Sequence, residues 1–240
     1  LVPVAAVFAG IAVAWCAESA RMADRVALVV VFAIGLLVAF GQSLQIDLFI
    51  RQTDTRTLAA AYIDSHVPAG STILTQPYSV PLEPTAGVLR EAVARSGRAM
   101  PTKTRLELER TPYPSPAFRV LYLGRGLDAD KIYVPYDTVS PSGDLSGLRD
   151  EAVAFVVLKR YNDGDPNTLP LFAALAREGR RVGVFTPYRN DPGGTDGSRP
   201  EPFLHNTDAR IDAALERPGP VVEIWQIGRP LKPVRMPNAG

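Results

Sequence analysis

Gln52 to Leu74 reads QTDTRTLAAAYIDSHVPAGSTIL, a helix, a stop and a strand in 23 residues. Thr53 or Asp54 supplies the N-cap, a side-chain oxygen that accepts from the unpaired backbone N–H groups two or three residues on. Leu58, Ala61, Tyr62 and Ile63 follow as an apolar stripe at helical spacing. Pro68 has no N–H to continue the helix, Gly70 permits a turn, and TILTQ is a short β-rich run. The stretch predicts an α–turn–β unit and thereby a layered α/β fold.

Downstream, the same alternation recurs. PTAGVLREAVARSG has Pro84 near a helix start and Gly97 at its end. SPAFRVLYLGRG repeats that pattern, although Val120 to Leu123 suits a strand equally. KIYVPYDTV alternates as a strand does, with Pro135 placing it at a sheet edge. AVAFVVLKRY is a continuous β-branched and aromatic run, the pattern of a strand buried on both faces of a parallel sheet. TLPLFAALAREG then predicts a helix ending at Gly179, RRVGVFTPY a strand, TDARIDAALERPG a helix and VVEIWQI the last strand. RNDPGGTDGSRPEP is a polar, Gly/Pro-rich insertion between them. The expected domain, residues 51–240, is a layered α/β fold with a mostly parallel sheet.

Upstream, the composition changes. Leu1 to Ala17 carries no charge, and Val26 to Ile46 is a second uncharged run of 21 residues, close to the ~20 a helix needs to cross a bilayer core. Residues 1–46 are therefore expected to form a transmembrane helical hairpin with spans at about 1–17 and 26–46. Of the 22 prolines, 21 lie beyond Arg51, which marks that part as soluble and loop-rich. The connecting ESARMADR holds Arg21 and Arg25, and basic residues in short loops stay cytoplasmic, so the domain that follows is expected to be extracytoplasmic. Taking Val26 to Phe40 as a signal-peptide core instead leaves the domain on the same side. The chain opens at Leu1 inside an apolar run, which points to a longer protein.

Several chemistries have no support in the residues. A formal charge of +1 without a basic stripe argues against nucleic acid. One cysteine, Cys16, allows no intrachain disulfide, and two histidines, His66 and His205, make no metal ligand cluster. There is no glycine-rich phosphate loop and no nucleophile elbow, so neither a cofactor nor a catalytic constellation is expected. Glu107 and Glu109, in KTRLELER, read as a solvated surface. His66 reads as a cap for the last carbonyls of its helix. Asp54, Thr55 and Arg56 form a polar cluster, most simply a helix cap with an exposed arginine, otherwise a contact to a lipid phosphate. Tyr78, Tyr136 and Tyr188 follow strands beside prolines, at the carboxyl ends where open α/β sheets bind ligands. Asp54, Arg56, Tyr78 and Tyr188 are the candidate substrate-binding residues.

DTRTLAAAYIDSHVPAGSTI, AFVVLKRY, VGVFTPY and RPGPVVEIWQI, following two apolar runs, resemble the C-terminal end of bacterial GT-C membrane glycosyltransferases, relatives of protein mannosyltransferases and of the aminoarabinose transferase of lipid A. In that family the first helix of the extracytoplasmic domain carries D-x-R-x-x-A-x-x-W-I before a P-x-G turn. Asp54, Arg56, Ile63, Pro68 and Gly70 fit it, Ala59 falls five residues after Asp54, and Tyr62 replaces Trp. Glu223 and Trp225 stand where the family's closing strand has Glu and an aromatic. The resemblance implies an inner-membrane, multi-pass enzyme that moves a sugar from a polyprenyl-phosphate carrier to an extracytoplasmic acceptor. It also implies that the catalytic acid, in the family's first outer loop, lies outside these residues, so that this portion is non-catalytic and partners the bilayer and the carrier-linked sugar. The alternative is a membrane-anchored binding or assembly domain of the cell envelope with no enzymatic activity.

Overall fold

The computed structural model describes residues 22–136, 143–160, 169–189 and 211–228, with isolated positions between 10 and 18. The chain divides into two compact units at the junction of Arg51 and Gln52.

In the N-terminal unit, α1 (Met22–Ile50) is 29 residues long, roughly 43 Å at 1.5 Å per residue. Val29, Val30, Val31 and Phe32, one full turn, are all exposed, so the helix is apolar on every side and not along one stripe. Among the described residues it is the one helix long and apolar enough to cross a membrane. It extends four residues beyond the expected 26–46 span at each end, so that Met22 to Arg25, expected in a loop, are helical. Met, Ala and Arg are strong helix formers and no Gly or Pro interrupts them. Of the expected first span, only Gly10, Ile11, Val13 and Ala14 are described, all helical; the rest lies outside the described residues.

The second unit runs α2 (Thr55–His66), β1 (Thr72–Thr75), α3 (Ala86–Ser96), α4 (Thr102–Leu108), β2 (Arg119–Leu123) and β3 (Ile132–Val134), then α5 (Ser146–Asp150), β4 (Phe155–Arg160), α6 (Leu169–Glu178), β5 (Arg180–Phe185) and β6 (Val221–Gln226). Its six-stranded sheet has the order β3-β2-β1-β4-β6-β5. The pairs β1–β2, β2–β3 and β1–β4 are parallel. β3 is an edge strand, as Pro135 requires. Residues 119–123 resolve to a strand, since Val120 and Leu121 are buried by the sheet's two faces.

Strand alternation divides the core. Ile73, Val120, Val157 and Ile224 face α2, which contributes Ala59 and Ile63. Leu74, Leu121, Val156, Leu158 and Trp225 face the other layer, built from Val88 and Ala92 of α3, Leu148 of α5 and Leu171 and Leu175 of α6. The buried line of α2 is Thr55, Ala59 and Ile63. Ala61, expected on the apolar stripe, is exposed, because the sheet contacts α2 along the i, i+4, i+8 line through Thr55.

The sheet is mostly parallel, as expected; among the described strands only β6, which lies between β4 and β5, runs antiparallel to its neighbours. The expected last helix is corrected. Residues 211–219 of the expected helix TDARIDAALERPG form turns: Asp212 Oδ1 accepts from Ala214 N at 2.8 Å, an Asx turn that competes with helix, and Pro218 blocks continuation. KTRLELER, expected as a solvated surface segment, is largely exposed, its residues up to Leu108 belong to α4, and of its side chains only Thr104 is fully buried. The insertion RNDPGGTDGSRPEP, apart from Arg189, lies outside the described residues.

Candidate functional site

β1 and β4 part at their carboxyl ends, and that fork is where the chain's direction of travel through the sheet reverses. After β1 it crosses to β2 on one side, and after β4 it crosses to β5 on the other. Open α/β sheets bind ligands at such a switch point. The backbone ladder ends at Thr75 and Val157. Beyond it the Gln76 side chain takes over, its Oε1 accepting from Lys159 N at 2.8 Å, while Lys159 Nζ donates to Pro77 O at 2.9 Å. Tyr78 follows with φ 58°, a left-handed conformation that costs a residue with a β-carbon about 1 kcal/mol, and its side chain is 85 % exposed. Ser79 is buried, and its Oγ has no hydrogen-bond partner among the described residues.

α2 runs antiparallel to β1 and therefore presents its N-terminus at this same end. Asp54 is the cap, Oδ1 accepting from Arg56 N at 2.7 Å. The Arg56 guanidinium folds back on the same carboxylate, Nε to Oδ1 at 2.9 Å and Nη2 to Oδ2 at 2.6 Å. Arg56 also acts on β4: burial first, and the Arg56 charge second, hold the Lys159 ammonium below its ordinary pKa. Thr55 locks the arrangement to the loop before β6, its N donating to Pro218 O at 3.1 Å and its Oγ1 to Pro220 O at 2.6 Å. Gly219 between them has φ 105°, and a β-carbon there would overlap Thr55 Oγ1 and lie 2.6 Å from Asp54 Oδ1.

Asp54, Arg56 and Tyr78 therefore gather at one end of the sheet, joined through Lys159 and Gln76, which sequence reasoning passed over. Tyr188, the fourth candidate, follows β5 at the same end but two strands from β4. It is buried, bridged to Leu215, and offers no open ring. Tyr136 is packed on the core and against Gly124. His66 stacks on Tyr62 with ring centroids 4.2 Å apart, and its Nδ1 lies 3.0 Å from Tyr62 O, the capping contact expected of it.

Glu223 and Trp225 touch each other. Trp225 Nε1 donates to Glu223 Oε2 at 3.0 Å, and the carboxylate, 1 % exposed, is paired with Arg160 at 2.9 Å and Arg181 at 3.6 Å. Arg160 lies over the Phe172 ring at 4.8 Å. This network ties β4, β5, β6 and α6 together, with the buried carboxylate held between two guanidiniums. The crevice carries the Lys159 ammonium and the exposed Tyr78 beside the Arg56–Asp54 ion pair, donors suited to an anionic group that competes with Asp54 for Arg56. Among the described residues, no group of three or more His, Cys, Asp or Glu could hold a metal ion. Compared with family models, curated proteins and solved structures, the chain matches none.

Proposed function

We propose that this chain is the C-terminal, non-catalytic portion of a membrane glycosyltransferase that moves a sugar from a polyprenyl-phosphate carrier to an extracytoplasmic acceptor, the α/β unit covering the carrier's cavity or helping to hold the acceptor. In this reading α1 is the last of several spans, the segment holding Arg21 and Arg25 is cytoplasmic, and everything after Ile50 is outside. One observation carries it: Arg51, Gln52 and Thr53 are all that separate α1 from Asp54, the cap at the cationic end of the sheet. Four residue steps reach at most about 14 Å. A lipid-linked phosphate at the bilayer surface is then the anion within reach of Arg56 and Lys159.

Membranes containing the full-length protein should transfer labelled sugar from a polyprenyl-phosphate donor to an endogenous acceptor. Inserting a flexible Gly/Ser linker of about ten residues after Arg51 lengthens the reach without touching a core residue. Transfer should collapse while the protein stays folded and inserted. Undiminished transfer after the insertion rules out the covering role. Membranes with no transfer at all, from cells whose carrier-linked pool is unchanged on deletion of the gene, leave the anchored assembly domain as the reading.

A further inference from the structure

A second concavity lies away from the fork, on the face of β2 that α2, packed on β5 and β6, leaves open. It is a groove of about 620 Å³, within the range of small-molecule sites. Its floor is apolar: Leu89 from α3 with Val120 and the Tyr122 ring from β2. Its rim is charged in both signs. Glu83 is held by Arg110 at 3.1 Å, and Lys131 is drawn to Asp128 at 2.8 Å and lies over the Tyr122 ring. Asp130 accepts weakly from Thr104 Oγ1 at 3.4 Å.

Glu107 differs from these. It lines the groove from α4, half-buried, and its carboxylate makes neither a hydrogen bond nor a salt bridge with the described residues. Burial first, then the nearby Glu83 carboxylate, push its pKa up; Lys103, one turn earlier on α4, offsets part of this. A desolvated acceptor facing a cavity is costly unless something donates to it.

We infer that this groove binds a neutral, polyhydroxylated ring of the monosaccharide type, its apolar face on the Tyr122 ring, which is backed by the buried Leu89 and Val120, and its hydroxyls donating to Glu107 and Asp130. A charged ligand would gain at one side of the mixed rim and lose at the other. A purely apolar one would leave Glu107 without a donor. A small ring with one apolar face and hydroxyls around its edge satisfies floor and rim together, and Lys103 and Lys131 donate to its oxygens.

The inference stands on the groove and does not depend on the carrier reading above. Its test uses the full-length protein in detergent micelles and free methyl glycosides of mannose, glucose, galactose and arabinose as probes, read by saturation-transfer NMR. At least one should receive saturation at its ring protons. Glu107→Ala should weaken that binding about tenfold, the loss of one charge-assisted hydrogen bond. Glu109→Ala, at an exposed neighbouring carboxylate outside the groove, should leave it unchanged, and Glu107→Ala should unfold at no lower a temperature than Glu109→Ala, so that a loss of binding is not a loss of fold. Saturation of none of the four glycosides overturns the proposal, and so does equal saturation in the wild type and Glu107→Ala. Because no lipid-linked donor is present, failure here leaves the transfer assay standing, and the reverse holds too.

Discussion

Removing Arg160 should destabilise the α/β unit more than removing Glu223, although each change breaks the same 2.9 Å ion pair. The two side chains are not equally placed: Glu223 is 1 % exposed, while Arg160 is 27 % and Arg181 42 % exposed. In Arg160→Met the carboxylate stays inside the sheet with Trp225 Nε1 at 3.0 Å and Arg181 at 3.6 Å as its remaining partners. A buried charge left short of partners costs 3–5 kcal/mol, and the two survivors put this case at the low end, about 3 kcal/mol. In Glu223→Leu both guanidiniums can swing to water and Arg160 keeps its contact with Phe172, so the group left short of a partner is the neutral Trp225 Nε1–H. That change should cost about 1 kcal/mol. The gap of about 2 kcal/mol is a factor of about 30 in the folding equilibrium. The double variant should fall near Glu223→Leu alone, since the orphaned carboxylate is gone. Urea unfolding followed by Trp225 fluorescence, with Trp15 replaced by Phe throughout, measures all three. If Glu223→Leu costs as much as Arg160→Met or more, burial is not what governs the pair.

Gly219→Ala should destabilise by more than the ~1 kcal/mol of a left-handed alanine, because the β-carbon meets Thr55 Oγ1 and Asp54 Oδ1. Thr55→Val, which leaves Pro220 O without its donor, should cost about 1–3 kcal/mol in the same urea titration. Glu107 gives a pH signature. Its pKa is raised on folding, so the folded state binds the proton more tightly, and stability falls as pH rises from the unfolded value, ~4.3, through the folded one. Glu107→Gln should abolish that decline and overtake the wild type above this window; parallel pH–stability curves for the two proteins would contradict it.

Local signals carried much of this fold. Gly97 ends α3 as expected, turning left-handed at φ 62°, and the start expected near Pro84 falls one residue on, at Thr85, whose Oγ1 accepts from Val88 N at 3.2 Å. Asp54 caps α2, and Pro135 marks the edge strand. What was not legible depends on partners distant in the chain. Val221–Gln226 has the β-branched composition of a strand buried on both faces, which is the same whichever way its neighbours run, so its antiparallel insertion was invisible. Thr55, read as part of the polar cluster with Asp54 and Arg56, gave no sign of its own role because its acceptor lies 165 residues away. Glu107 reads as surface in a charged run, and only the fold of β2 beneath α4 turns its position into the wall of a groove. Tyr78 could be placed after a strand from sequence, but its left-handed backbone could not.

The order in which the sheet is completed differs from the order in which the chain is made. β4 and β5 both precede β6, yet among the described strands β5 hydrogen-bonds to nothing else. Until Val221–Gln226 emerges from the ribosome, β4 has an open edge and β5 is unpaired beside it, at a time when α1 has already been synthesised. Exposed strand edges recruit other chains. A nascent protein of this kind therefore passes through a stage in which β4, whose first four residues are buried in the finished sheet, is paired along one edge only, and premature termination anywhere before Val221 would leave it there for good. Cells making this protein in quantity would have to shield that edge during synthesis, and ribosome pausing upstream of β6 would lengthen the exposure.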